Sequence, residues 1–156
     1  MKTITLPDYQ SLAELRYQIR KFVHFSEQAA RKARMEPRQH QFLLALKGLP
    51  GHMRPNIGAL AERLQIEPHS AVELTNRLAR GGYVRRRRTN GEQDRREVLL
   101  DLTAKGEKVL RELSLHHRAE LLTAGPVLMS ALGRVLKPGK TPRRVSAVSQ
   151  RKGKER

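Results

Sequence analysis

Residues 56–103 limit the possible folds of this chain more than any other stretch. Two short segments within it carry apolar residues at the spacing of a helix that is buried on one face. Asn56 suits the N-cap of the first, and Pro68 fits the first turn of the second because proline has no N–H to lose. Gly81 and Gly82 then end the second helix, since glycine accepts the left-handed conformation of a C-cap. The stretch therefore begins with two helices joined by a short turn.

A basic hairpin follows the two helices. Arg85 to Arg88 form a run of four arginines, Asn90-Gly91 is a strong hairpin-turn signal, and residues 98–102 form an apolar return strand. Packing does not account for the run, because the arginine charges repel and burial without a partner is costly. A solvated charged strand is the alternative. Two helices followed by such a hairpin make a winged helix-turn-helix, in which the second helix reads DNA.

Three sequence blocks within and after this stretch resemble the MarR family of bacterial transcription regulators: ALAERL, ELTNRLARGGYVRRRR and DRREVLLDLTAKGEKVL. The resemblance covers roughly residues 15–122, and Asp94-x-Arg96 followed by Leu102-Thr103 is similar to the family's wing signature. It implies a mainly α fold with a small β-hairpin wing. The winged helix-turn-helix would be flanked by N- and C-terminal dimerisation helices.

Composition narrows the class of partner. A chain of 156 residues has the length of one domain with a core. Its formal net charge of +17 attracts polyanions, with nucleic acid as the leading partner and an anionic membrane surface as the rival. There is no cysteine, so disulfides, thiolate nucleophiles and cysteine-ligated zinc are excluded.

The sequence lacks the signals that are typical of secreted proteins, membrane proteins and several classes of enzyme. The N-terminus has no signal-peptide core, and no run approaches the ~20 apolar residues of a membrane span. We therefore expect a cytoplasmic bacterial protein with no membrane partner. No phosphate-binding loop, dinucleotide fingerprint, nucleophile elbow or HExxH pair is present, so we predict no enzyme activity, no cofactor and no metal site.

The chain is predicted to form a single winged-helix domain over residues 1–136. Residues 34–102 would be the DNA-binding lobe, with dimerisation helices at 8–33 and 103–136 implied by the resemblance. Gly125-Pro126 is expected to interrupt the last of these. Residues 137–156 are basic and nearly without apolar side chains, which predicts a disordered tail. That tail is either a solubilising end or a nonspecific DNA-binding arm.

The candidate DNA contacts fall into two groups. Those on the second, recognition helix are Pro68, His69, Ser70, Val72, Glu73 and Arg77, and those on the wing are Arg86, Arg88, Asp94 and Arg96. By resemblance, Arg96 would enter the minor groove and Asp94 would hold it. Many relatives orient the wing with an acidic residue on the recognition helix, and the matching position here is Asn76.

The resemblance also implies a mode of regulation. A two-fold dimer would bind duplex DNA at a pseudo-palindromic site with half-sites ~10 bp apart. Relatives commonly act as repressors and release DNA when a small aromatic or anionic compound enters a crevice. His24 and His40 are candidates to line that crevice, although an ordinary structural histidine is the more frequent case. Repression and activation both remain open.

The main alternative is an architectural DNA- or RNA-binding protein that uses the same charge without reading sequence. The chain has no tryptophan and only three phenylalanines and three tyrosines. Single-strand and RNA readers usually stack bases on aromatic side chains, so this composition favours duplex DNA.

Overall fold

The computed structural model describes residues 3–88 and 97–137. In those ranges the chain forms five helices and a two-stranded antiparallel sheet, as a winged helix-turn-helix with long flanking helices. The elements are α1 (Leu6–Lys32), α2 (Pro37–Lys47), α3 (Ile57–Leu64), α4 (Pro68–Arg80), β1 (Val84–Arg88), β2 (Val98–Leu102) and α5 (Ala104–Leu136). The predicted mainly α fold with a β-hairpin is confirmed.

Helices α1 and α5 pack against each other along the chain's two ends. The break predicted at Gly125-Pro126 is wrong, because α5 runs without interruption for 33 residues with Pro126 inside it. A proline removes one backbone donor from a helix. Here the helical spacing of apolar residues continues on both sides of Pro126, and the cost of that one lost hydrogen bond does not end the helix.

In the described residues, an apolar core holds the predicted DNA-binding lobe together. Its fully buried members come from α2, α3, α4, β2 and α5: Phe42, Leu43, Leu60, Leu78, Leu100 and Leu113. Burying a side chain of this size contributes roughly 1.5–3 kcal/mol to stability. Because the beginning of α5 supplies part of this core, the lobe and the start of α5 form one packed unit.

The N-cap side chains of α3 and α5 make capping hydrogen bonds, whereas those of α2 and α4 do not. Asn56 caps α3 by accepting from the Ala59 N–H at 2.9 Å, and Thr103 caps α5 by accepting from the Gly106 N–H at 3.1 Å. Glu67 occupies the N-cap of α4, but its side chain makes no capping hydrogen bond.

The hairpin is extended by a single bridge. Arg86 pairs with Leu100 in the β1–β2 register, and an isolated bridge joins Asn56 to Leu99. The Leu100 N–H donates to the Pro55 carbonyl at 2.8 Å. This bridge places β2 between β1 and the chain entering α3.

Part of α5 is long and apolar enough, by length and composition alone, to cross a membrane. The expectation that no stretch approaches this length was therefore wrong. The finding is weak evidence for a membrane span, since packed helices of soluble proteins pass the same test. Met129 and Leu136 are about 70% exposed in the single chain, at 69% and 71%.

Candidate nucleic-acid interface

Helix α4 presents the predicted base contacts on its outer face. Pro68, His69, Val72 and Glu73 are exposed and Ser70 is half-buried. The opposite face buries Ala71, Leu74, Thr75 and Leu78 against the lobe. Because packing against α2, α3 and β1 fixes the buried face, the exposed face has a defined direction. The contacts with DNA remain predictions.

Arg85 and Arg87 share a carboxylate on the neighbouring strand. Asp101 Oδ2 lies 3.7 Å from Arg85 Nε and 3.1 Å from Arg87 Nε. Alternate residues of a strand face the same side, so these two arginines lie together and away from Arg86 and Arg88. Asp101 thus offsets part of the charge on one face of β1.

Arg86 connects the wing to the recognition helix. Its guanidinium donates a hydrogen bond from Nη2 to Asn76 Oδ1 on α4. The position where many relatives have an acidic residue therefore still anchors the wing, through an amide. Because the amide is neutral, it holds Arg86 without cancelling its positive charge, and Arg86 remains exposed.

Glu97 secures the base of the wing. One carboxylate oxygen accepts from Asn56 Nδ2 at 2.6 Å, and the other lies 2.6 Å from Arg54 Nη1. Asn56 therefore caps α3 with its oxygen while its nitrogen binds the residue just before β2. A hydrogen bond to a charged group is stronger than one between neutral groups, so this contact couples α3 to the wing.

Arg77 links the recognition helix to α2. Its Nη1 atom lies 3.3 Å from Glu36 Oε2, at the N-cap of α2, and both side chains are about half exposed. Exposed ion pairs contribute little to stability. The pair nevertheless holds Arg77 toward α2, at the edge of α4, and its contact with DNA stays a prediction. Asp94 and Arg96 lie outside the described residues.

A family match decides what kind of domain this is. Residues 35–97 match the sequence model described as the MarR family, and that range contains α2, the helix-turn-helix and β1. The chain carries a MarR-family domain. Proteins of this family are transcription regulators, and the match spans the elements that carry the exposed helix and the arginine strand.

Solved structures extend the likeness beyond the matched range. AbsC, a MarR family transcriptional regulator from Streptomyces coelicolor, is 22% identical, with 88% of this chain and 95% of that chain covered and a TM-score of 0.68. A MarR family protein from Bacillus stearothermophilus is 20% identical over 78% and 81% of the two chains, with a TM-score of 0.63. MepR, a transcription regulator of the Staphylococcus aureus efflux pump MepA, is 17% identical over 69% and 76%, with a TM-score of 0.60. At these identities the likeness establishes the MarR-type fold. The comparison with curated proteins gave no match.

The two candidate ligand histidines lie in different environments. His24 is exposed and lines a groove of about 540 Å³ between α1 and α5, together with Tyr17, Arg20, Lys21 and Phe25. His40 is fully buried and lies elsewhere. The prediction that His40 lines an open crevice is wrong, because α2 turns this side chain into the interior.

His40 instead contacts His117 of α5. The ring centroids are 4.7 Å apart at an interplanar angle of 71°. Burial, together with the neighbouring His117, lowers the pKa of His40 to about 4, and burial also lowers the pKa of His117. Within the described ranges, three or more side chains that could hold a metal ion do not converge.

Sequence reasoning missed the acidic partners that orient the basic residues. Asp101, Glu97 and Glu36 each hold an arginine or asparagine from another element. For Asp101 a signal was available, since it is the one acidic residue in an otherwise apolar return strand opposite four arginines. Glu36 and Arg77 are far apart in sequence, and only the packing of α2 against α4 brings them together.

Proposed function

We propose that this chain is a sequence-specific repressor that binds duplex DNA as a homodimer at a pseudo-palindromic site and is released by a small ligand. The observation that carries the proposal is the connection between α4 and the wing through Asn76 and Arg86. An exposed reading helix and an arginine strand held in a fixed relation can contact adjacent grooves at once. A surface that binds DNA through its charge alone would not need a fixed geometry between the helix and the strand.

We propose that different residues make the phosphate contacts and the base contacts. The arginines of β1 supply phosphate contacts, while His69, Ser70 and Glu73 can exchange hydrogen bonds with base edges and Val72 can meet a thymine methyl group. The leading end of α4 has no arginine for guanine, so we expect modest base readout. Arg96 at the wing and its partner Asp94 are proposed to act in the minor groove.

The dimer is supported by apolar side chains left exposed on the two long helices. On α1 these include Leu6, Tyr9 and Leu12, and on α5 they include Leu122, Met129 and Leu136, each more than 40% exposed. Exposed apolar side chains of this number, on two helices that pack together, are typical of an interaction surface. A second copy of the chain would cover it and would place two recognition helices on one side of the duplex.

The groove beside His24 is the proposed effector site. Tyr17, Phe22 and Phe25 offer aromatic surface and Arg20 and Lys21 offer positive charge, which suits a small aromatic or anionic compound. Aromatic acids at millimolar concentration should raise the thermal midpoint and weaken DNA binding. If both quantities stay unchanged across a panel of such acids, the site has no support.

Selection of genomic fragments by the purified protein at near-physiological salt tests DNA recognition. We expect the retained fragments to share an inverted repeat with half-sites about 10 bp apart. In a cell, binding of this kind over a promoter would repress transcription in the cytoplasm. If expression of a reporter rises when the protein is present, the protein is an activator and not a repressor.

An architectural role is the second candidate, favoured by the net charge of +17. A protein of that class would retain fragments without a common motif, and retention would fall steeply as salt rises. Replacing His69 and Glu73 with Ala separates the two. The double variant should lose the preference for the repeat and keep salt-dependent binding, whereas an architectural protein would have no preference to lose.

A further inference from the structure

The end of the recognition helix is fastened to the start of α5 by several close contacts. Gly81, Gly82 and Tyr83 follow α4, and Thr103 to Gly106 open α5. Because α5 is also the helix that carries the exposed apolar face, this joint connects the DNA-reading element to the proposed dimer surface. We call these residues, 81–83 and 103–106, the α4–α5 joint.

Two hydrogen bonds from Thr103 to backbone carbonyls, and a close approach at Gly106, make the joint tight. The Thr103 hydroxyl donates to the Gly82 carbonyl at 2.6 Å, and the Thr103 N–H donates to the Tyr83 carbonyl at 3.0 Å. At Gly106 an added Cβ would lie 2.2 Å from the Tyr83 carbonyl oxygen, closer than side-chain carbons approach backbone atoms. The backbone before β1 therefore rests directly on the first turn of α5.

Lys105 adds the contact that reaches α4 itself. Its Nζ atom donates to the Gly81 carbonyl at 2.7 Å and lies 4.4 Å from the centre of the Tyr83 ring. Gly81 is the C-cap of α4, where the helix dipole places partial negative charge that a cation stabilises. Among the described residues Lys105 makes no ion pair, so its charge is directed to this helix end.

We infer that Lys105 is a positioning residue that fixes the direction of α4 relative to α5 and so sets the spacing between the half-sites that the dimer accepts. This inference rests on the proposed function. In a two-fold dimer, each recognition helix is carried on its own α5, so a change at the α4–α5 joint alters the distance between the two helices. Loosening the joint broadens the range of spacings that bind.

The test is a set of duplexes with constant half-sites and spacers that differ by one base pair. The affinity of the full chain is measured for each duplex. The spacing preference is the affinity at the best spacing divided by the affinity at a spacing that is two base pairs longer. We expect Lys105→Met to lower this ratio by roughly fivefold or more. Methionine keeps apolar contact with Tyr83 and removes the bond to Gly81.

Lys108→Met is the matched control. Lys108 is exposed on the same helix, three residues further on, and its loss changes the net charge by the same amount. It should weaken binding at all spacings alike and leave the ratio unchanged. Both affinities in the ratio are measured on the same protein preparation. If a variant is partly unfolded, both affinities fall by the same factor and the ratio does not change.

Three outcomes separate the possibilities. A lower ratio for Lys105→Met alone supports the role of Lys105. Equal ratios for the wild type and both variants overturn it while the proposed function stands. A wild type that prefers no spacing overturns the proposed function, and this inference with it.

Discussion

The rings of His40 and His117 meet edge to face, with their centroids 4.7 Å apart, where α2 packs against α5. His40 has no exposed surface, and in the described part of the chain neither of its ring nitrogens has a hydrogen-bond partner. A charged imidazole is costly in such a place, so burial lowers the pKa of both rings and favours their neutral forms. This pair lies between the DNA-binding lobe and the long C-terminal helix.

Stability should therefore fall as the pH falls. The pKa of His40 is lowered to about 4 in the folded chain, below its ordinary value of 6.5, so the unfolded chain binds more protons between these values. The contribution of His40 is present above pH 6.5 and is lost progressively toward pH 4. Between pH 7 and pH 5 we expect a loss of about 2 kcal/mol from this residue, measured by urea unfolding.

His40→Phe should flatten that pH dependence, because phenylalanine keeps an edge-to-face ring and has no proton to bind. His24→Phe is the control, since it removes an exposed histidine from α1. A variant lacking His40 that keeps the full pH slope would show that another group is responsible.

Gly106→Ala should destabilise the fold by roughly 1–3 kcal/mol, because the new methyl group overlaps the Tyr83 carbonyl oxygen. Gly133→Ala provides the comparison within α5. An added Cβ there has no atom within 4 Å, and alanine favours the helix by roughly 0.5–1 kcal/mol. Chemical denaturation of both variants gives the two changes. Equal stabilities would mean that the contact at the α4–α5 joint relaxes without cost.

Asn76→Ala should weaken operator binding about three- to tenfold, since a typical hydrogen bond contributes roughly 0.5–1.5 kcal/mol and Arg86 is free to move once this exposed bond is lost. Fluorescence anisotropy with a labelled operator measures the change. Asn76→Asp should preserve the anchoring of Arg86 through its carboxylate. If the alanine variant binds as the wild type does, Asn76 does not position the wing.

Met129→Lys should convert the proposed dimer to monomers, because it places a charge among the exposed apolar side chains of α5. Sedimentation velocity distinguishes the two states. Val72→Lys adds the same charge on the recognition helix, where Val72 is 42% exposed, and should remain dimeric. Persistence of the Met129 variant as a dimer would locate the interface elsewhere.

Sequence reasoning succeeded where the cause is local. The cap at Asn56 and the glycine stop after α4 depend on neighbouring backbone groups, and both were predicted correctly. The order of helices, turn and hairpin likewise follows from apolar spacing and turn residues.

Sequence reasoning failed where a feature depends on contacts between elements that are far apart in the sequence. The side of α2 on which His40 lies depends on where α5 packs, and the amide contact of Asn76 depends on the position of β1. The continuity of α5 through Pro126 also depends on a balance of small energies that a turn signal alone does not give. These three features required the packed structure.

Because α5 is one unbroken helix, a small rotation at one of its ends causes a large displacement at the other end. A helix of 33 residues is about 50 Å long at 1.5 Å per residue. If it moves as a rigid rod, a rotation of about 5° at one end displaces the other by about 4 Å. That displacement is close to one base-pair step of about 3.4 Å. A small tilt between two copies, at the far end from the DNA, would thus be enough to move a recognition helix out of register with its half-site.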